Sequence, residues 1–431
     1  MTRGRQVTLA AALAVLVVLG TVVLMLTRRS ATREPAAEPA AGSPAAASSA
    51  SGCSPTASRA GTKCDETGGW VGTWAAAMQP GETVFRRQTL RQIVHTSVGG
   101  SQVRVRITNL YGAGALAVGS AHVAVDAGDG KIRKSTDRVV TFGGAGTAGI
   151  PAGGSITSDP VAFAVPADGD LTISLYLPED TGPATQHVFA NRNNYVAAGD
   201  QSGAARLSGA RRSTSYSFLT GVDVLNPAAT GAVVTLGASI TDGVGSTFGT
   251  DGRWPDLLSR RLSGGGRTVG VLNAGISGNE LMKDSNGESA LKRFDRDVLA
   301  QPGVRWVIFS DDPLNDLGGA DPPPATRLID SMRQLIGRAH AAGIAFYCST
   351  LTPFEGADYW TERGQSGRDQ INAFIRSGSS GCDGVIDQDG ATHDPDGPAR
   401  YREDVDSGDH LHPNDRGMRA VADAVNLGLF G

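Results

Sequence analysis

Residues 232–243 read AVVTLGASITDG. A continuous apolar run, Ala232 to Leu236, ends in Gly237, and Ser239 follows between small residues. A run of this length bounded by glycine suits a strand buried on both faces, as in a parallel sheet. A serine just past such a strand is either an ordinary turn residue capping a helix or a side chain presented to a cleft. The second reading matters because ligands bind outside the carboxyl ends of the strands in open α/β sheets.

The chain around this stretch repeats the pattern. From about Thr230 onward the apolar runs AVVTLG, TVGVLN, VRWVIFS, IAFYCST and GVID alternate with helical stretches. The spacing predicts helices near Trp254–Leu262, Ser289–Leu299, Ala325–Ala342, Ser366–Ile375 and Asn414–Leu427. Strands alternating with helices imply a parallel sheet covered on both faces, a three-layer α/β domain over residues 229–431. Trp254 and Trp306 fall where core residues belong.

Upstream the period changes. In SQVRVRITNLYG, Val103, Val105 and Ile107 alternate with Arg104, Arg106 and Thr108, and Leu171, Ile173 and Leu175 repeat the alternation. Period 2 marks half-buried strands. Gly128 to Gly130 suit a hairpin turn, and glycine-rich breaks recur. Residues 67–228 are therefore expected to form an all-β sandwich of jelly-roll type.

The N-terminus is different again. Arg3 and Arg5 precede an uncharged apolar stretch, Val7 to Thr27, which Arg28 and Arg29 close. It is long enough to cross a bilayer, so residues 1–29 are expected to be a membrane anchor, with a cleaved export signal as the alternative. Residues 30–66, rich in Ala, Pro and Ser, have too few large apolar side chains to repay chain entropy and read as a disordered linker. Both readings place the rest outside the cytoplasm, anchored or secreted.

Composition is that of an ordinary globular protein: 431 residues, 40% apolar and 19% charged, with a net charge of −4. No basic stripe points to nucleic acid. Of the four cysteines, Cys53 is expected to pair with Cys64 and Cys348 with Cys382, since an exported chain permits disulfides. No C-x-x-C or clustered Cys/His pattern suggests a metal, and no cofactor is expected. The glycines near Ser239 lack a P-loop lysine and the G-x-G-x-x-G spacing, which weighs against a nucleotide-binding protein of the same fold.

Partners for Ser239 lie at the other end of the chain. DSGDHLHPND carries Asp409 and His412, three residues apart, so a tight loop can set carboxylate against imidazole. That pair fixes a tautomer and stabilises an imidazolium, as a general base for a serine requires. His410 should point elsewhere, and Asn414 or Asp415 suits a helix N-cap. Gly278 in LNAGISGNEL and Asn315 in SDDPLNDLGG each follow an apolar run. With the Ser239 N–H, they could aim three donors at one oxyanion.

The ordered set resembles the four blocks of the SGNH (GDSL) hydrolase family: GASITDGVG, NAGISGN, PLND and DHLH. The resemblance covers about Val233 to the C-terminus and implies a flavodoxin-like α/β/α fold and metal-free ester hydrolysis. It implies Ser239 as nucleophile, His412 as base and Asp409 as its orienter. The implied oxyanion donors are the Ser239 and Gly278 N–H groups and the Asn315 side chain. RWPDLLSRRL and TLRQIVHTSVGGSQVRVRITN also resemble a two-domain exported subgroup of that family.

Two positions depart from the family. Ala238 stands where the first block usually has Asp, so the serine turn is expected to be looser. Pro313 replaces the glycine of the third block, and because proline fixes φ and lacks a donor, the Asn315 loop is expected to sit differently. The leading expectation is an esterase acting on an acetylated glycan or another short-chain ester. The alternatives are a lipase or lysophospholipase acting on a lipid ester, and a weakened surface-binding protein that has kept the fold.

Overall fold

The structure is a computed structural model and describes residues 68–431. The expected anchor, the linker and the Cys53–Cys64 pair lie outside the described residues. Among the described residues no helix is long and apolar enough to cross a membrane.

Five parallel strands form the sheet that carries Ser239: β1 (Gly231–Gly237), β2 (Val269–Gly275), β3 (Val304–Phe309), β4 (Ala345–Ser349) and β5 (Gly384–Ile386). Their order is β2-β1-β3-β4-β5, the flavodoxin-like arrangement in which the switch point lies between β1 and β3. Every residue of β1 is buried. That is why its sequence is a continuous apolar run, without the alternation of a half-exposed strand.

Among the described residues eight α-helices accompany the sheet: α1 (Ser239–Asp242), α2 (Trp254–Gly264), α3 (Ala290–Phe294), α4 (Asp312–Leu317), α5 (Ala325–Ala341), α6 (Glu362–Arg376), α7 (Gln388–Thr392) and α8 (Asp415–Asp423). In α5, Leu328, Met332, Leu335, Ile336 and Ala339 are buried. They recur at three- and four-residue steps, the stripe that seats a helix on a sheet. Each of the larger ones contributes about 1.5–3 kcal/mol on burial. α6 starts four residues before the expected Ser366 because the Thr361 side chain accepts from Gly364 N and caps it. α8 ends before the expected Leu427; Asn426 caps a separate 3-10 turn at Leu427–Phe430. Asn414 caps α8 itself, accepting from Arg416 N and Gly417 N.

The β region is antiparallel. One sheet includes Trp70–Ala75, Leu219–Leu225 and Gly100–Thr108. A six-stranded sheet includes Gln88–Thr96 and Gly169–Leu177, and a three-stranded sheet includes Pro183–His187. Val103, Val105, Ile107, Leu171, Ile173 and Leu175 are all fully buried, so the alternating residues do face a core. Gly128, Asp129 and Gly130 all take positive φ in a tight turn. The β region shares one buried core with the α/β region. Gly72 N donates to Pro302 O at 3.0 Å, and Val271 N in β2 donates to Ser97 Oγ at 3.0 Å.

Cys348 on β4 and Cys382 form a disulfide with Cα atoms 5.8 Å apart. It ties β4 to the segment leading into β5.

Candidate active site

The segment after β1 folds as a single helical turn, α1, and Ser239 is its first residue. Its hydroxyl lies 2.8 Å from His412 Nε2, and His412 Nδ1 lies 2.6 Å from Asp409 Oδ2. The loop before α8 brings this pair together. Asp409 Oδ1 accepts from Leu411 N at 3.0 Å, His412 N at 2.9 Å and Ser407 Oγ at 2.9 Å. Burial alone would raise the Asp409 carboxyl, but the His412 ring and these backbone donors outweigh it and hold it at about 2. Asp409 is therefore an anion that only accepts hydrogen bonds. His412 must then carry its proton on Nδ1, which leaves Nε2 to accept from the Ser239 hydroxyl. His410 turns away to Asp406 Oδ2 at 2.7 Å, from a backbone with φ of 61°.

Gly245 brings the loop after α1 against this histidine. Its φ is +93°, and a Cβ there would lie 2.3 Å from Pro413 O and 3.4 Å from His412 Cβ. Only glycine permits so close an approach.

Asn315 reaches the loop that carries Gly278, at its neighbour Asn279, while the direct contact of Ser239 is with His412. Asn315 Nδ2 donates to Asn279 O, next to Gly278, at 2.8 Å, and Tyr359 OH donates to Asn315 Oδ1 at 3.2 Å. These two bonds fix which end of the carboxamide is nitrogen. Tyr359 thus orients Asn315. Gly278 has φ +74°, which favours glycine, and a Cβ on it would fall 2.2 Å from Asn286 Nδ2, so that side chain would have to move. Asp316 holds the same loop, accepting from Leu281 N at 2.6 Å and Met282 N at 3.3 Å. Burial raises its carboxyl to about 7 even so.

Both departures from the family find a structural answer. Asp311, buried at the end of β3, accepts from Ile240 N at 2.8 Å and from Thr241 Oγ1 at 2.6 Å. It supplies to the serine turn a carboxylate that position 238 lacks, so the expected loosening is offset. Pro313 sits in the first turn of α4, where backbone N–H groups have no intrahelical partner and proline is well tolerated.

A buried arginine ties the blocks together. Arg293 donates to Ala274 O at 2.7 Å, Gly237 O at 3.1 Å and Asn279 Oδ1 at 3.0 Å, and reaches Asp312 at 3.3 Å. It thereby joins the ends of β1 and β2 to the second and third blocks. Burial still raises the Asp312 carboxyl to about 7 against this arginine's charge. Nothing in the charged stretch KRFDRD marks Arg293 out from its neighbours in sequence.

One further cluster gathers metal-ligand atom types. Donor atoms of His95, Asp170 and Asp251 lie within 4.8 Å of one another. Arg192 also sits there, 2.8 Å from Asp170 Oδ2 and 3.5 Å from Asp251 Oδ2. With its own cation in place, the cluster reads as an ion-pair network.

Residues 235–420 match the GDSL-like Lipase/Acylhydrolase family. This segment is a GDSL-like lipase/acylhydrolase domain. The domain is accordingly that of a carboxylic ester hydrolase. A search of the curated proteins finds no match. Among solved structures, one similar to this chain is a lipolytic protein of the G-D-S-L family from Desulfitobacterium hafniense DCB-2. It has 21% identity and a TM-score of 0.36, over 45% of this chain and 96% of that one. An acetyl xylan esterase matches with 23% identity and a TM-score of 0.34, over 45% and 96%. A lipase/acylhydrolase from Enterococcus faecalis matches with 19% identity and a TM-score of 0.33, over 45% and 92%.

Proposed function

We propose that the chain is an extracytoplasmic serine esterase in which Ser239, His412 and Asp409 form the catalytic triad. The observation that carries this reading is the continuous chain of hydrogen bonds from Ser239 Oγ through His412 to Asp409. Ser239 Oγ attacks the ester carbonyl carbon as its proton passes to His412 Nε2. The carbonyl oxygen becomes an oxyanion facing the N–H groups of Ser239 and Gly278 and the Asn315 carboxamide, whose Nδ2 has a second N–H beyond the one given to Asn279 O. Collapse breaks the bond to the alcohol oxygen, which leaves with the proton from His412. Water then attacks the acyl-enzyme by the same proton path and frees the acid and Ser239.

The narrower substrate reading is a short acyl group, foremost an acetyl ester on a carbohydrate. It is supported by the lack of a broad apolar lid stretch in the sequence. The Cys348–Cys382 disulfide supports an oxidising compartment. Hydrolysis of p-nitrophenyl acetate and longer-chain esters by the protein and by Ser239→Ala tests the proposal. Loss of hydrolysis in the variant is expected, with rates falling as the acyl chain lengthens. Equal rates in both proteins would overturn it.

A further inference from the structure

His187 ends the strand Pro183–His187 of the β region and is almost fully buried. Its Nδ1 lies 2.9 Å from Ala77 O, and its Nε2 lies 2.9 Å from Phe189 O and 3.1 Å from Asp242 Oδ1. Both ring nitrogens thus face oxygen acceptors. A neutral imidazole donates from one nitrogen only, so the imidazolium is the form that satisfies both. Burial opposes that charge, but Asp242 and the Ala77 carbonyl outweigh it and raise the histidine above its ordinary range. The ring also packs against Tyr216, 6.2 Å between centroids, and Tyr216 in turn against Trp74 at 4.7 Å.

Asp242 is the last residue of α1, three residues after Ser239. Its other oxygen, Oδ2, accepts from Ser277 N at 2.9 Å and from Ser277 Oγ at 2.6 Å. Ser277 immediately precedes Gly278. One carboxylate therefore joins the helix that begins with the nucleophile to the loop that carries the second oxyanion donor, and the imidazole set 3.1 Å from its other oxygen, at ion-pair distance, comes from the β region. The same stretch grips the loop after α1 further on. Asn191 Nδ2 donates to Ser246 Oγ at 2.8 Å, and Gly249 N donates to Asn191 O at 2.9 Å.

We propose that the β region is part of the catalytic apparatus, with His187 as a positioning residue that holds Asp242 against Ser277 and so presents the Gly278 N–H to the oxyanion. This rests on the ester-hydrolase reading above. A shift of a few tenths of an ångström at an oxyanion donor weakens the transition state more than substrate binding, because the donor is aimed at charge that develops only there. His187→Gln keeps a planar polar side chain but loses the charge and one of the two donations.

The experiment compares the full chain with His187→Gln, Ser277→Ala and the double variant, measuring p-nitrophenyl acetate hydrolysis and inhibition by phenylboronic acid, a tetrahedral mimic. Each single variant is expected to lose about tenfold in kcat with KM changed less than about twofold. Boronate inhibition should weaken in step with kcat. The double variant is expected to be no worse than about the poorer single, since both act through one carboxylate. A kcat for His187→Gln within about twofold of the parent, or single effects that multiply in the double, would overturn the proposal. If His187→Gln fails to fold, Ser277→Ala and Asp242→Asn carry the test, and unchanged kcat in both overturns it. Ser239→Ala run alongside separates the two levels. A parent rate that does not depend on Ser239 removes the esterase reading itself, whereas a Ser239-dependent rate that ignores His187 removes only this inference.

Discussion

Replacing Asp311 by alanine takes a charged acceptor away from two buried donors at the serine turn, Ile240 N and Thr241 Oγ1. Hydrogen bonds to a charged group contribute about 1.5–3 kcal/mol each. Against that, the variant no longer buries a carboxylate, which returns part of the loss. A net destabilisation of about 2–4 kcal/mol is expected. The effect on catalysis follows from where the donors sit: Ile240 and Thr241 directly follow Ser239, so relaxing them moves its hydroxyl relative to His412 Nε2. Displacements near 1 Å at a reacting atom cost about 100-fold, and partial relaxation should lower kcat on p-nitrophenyl acetate by about 10- to 100-fold. Asp311→Asn keeps one acceptor oxygen and should fall between the parent and the alanine variant. Urea unfolding midpoints and steady-state kinetics read both quantities. An alanine variant with an unchanged midpoint and kcat within about twofold of the parent would show that the turn does not depend on Asp311.

Asp409→Asn removes the anion that fixes His412 Nδ1–H, and kcat should fall by about 10²–10⁴ with KM little changed; retention of a tenth of the activity would contradict the role given to Asp409. His95 titrates near 9 in the folded protein, above the ordinary 6.5, because Asp170, Asp251 and Asp168 outweigh its burial. Its folded value is raised, so its stabilising contribution is complete below pH 6.5 and is lost as pH rises through about 9, by at most about 3 kcal/mol. Unfolding of the protein and of His95→Gln between these limits should show a decline in the first that is shallower in the second, and parallel curves would contradict the assignment.

The parallel sheet was legible because its strands are buried on both faces, so β1 and β3 appear as continuous apolar runs. The β strands were legible for the opposite reason: Val103, Val105 and Ile107 face the core while the arginines between them lie on the other face of the sheet, where both pair with Asp223. The hydrogen-bonded trio of Ser239, Asp409 and His412 was legible because a short loop sets Asp409 against His412 and because their ordered blocks resemble a family. What sequence did not reveal are contacts made between distant elements by residues of unremarkable type. Asp311 looks like one of several acidic residues in a loop, and its partners lie some 70 positions upstream. His187 sits among ordinary strand residues, and only the packing of the β region on α1 makes it a partner of Asp242. Neither periodicity nor motif carries that information. The concerns raised by Ala238 and Pro313 were local readings as well; the first is answered by the tertiary placement of Asp311, the second by the place of Pro313 in the first turn of α4.

The central claim is that Ser239 Oγ is a nucleophile activated by His412. Treating the protein with a fluorophosphonate, then mapping the adduct by peptide mass, tests it most directly: Ser239 Oγ displaces fluoride from phosphorus and gains the phosphonyl group. The account expects one adduct per chain, on Ser239, with parallel loss of esterase activity, and little labelling in His412→Ala. Labelling elsewhere, or an unlabelled Ser239 in protein that still hydrolyses esters, would contradict it.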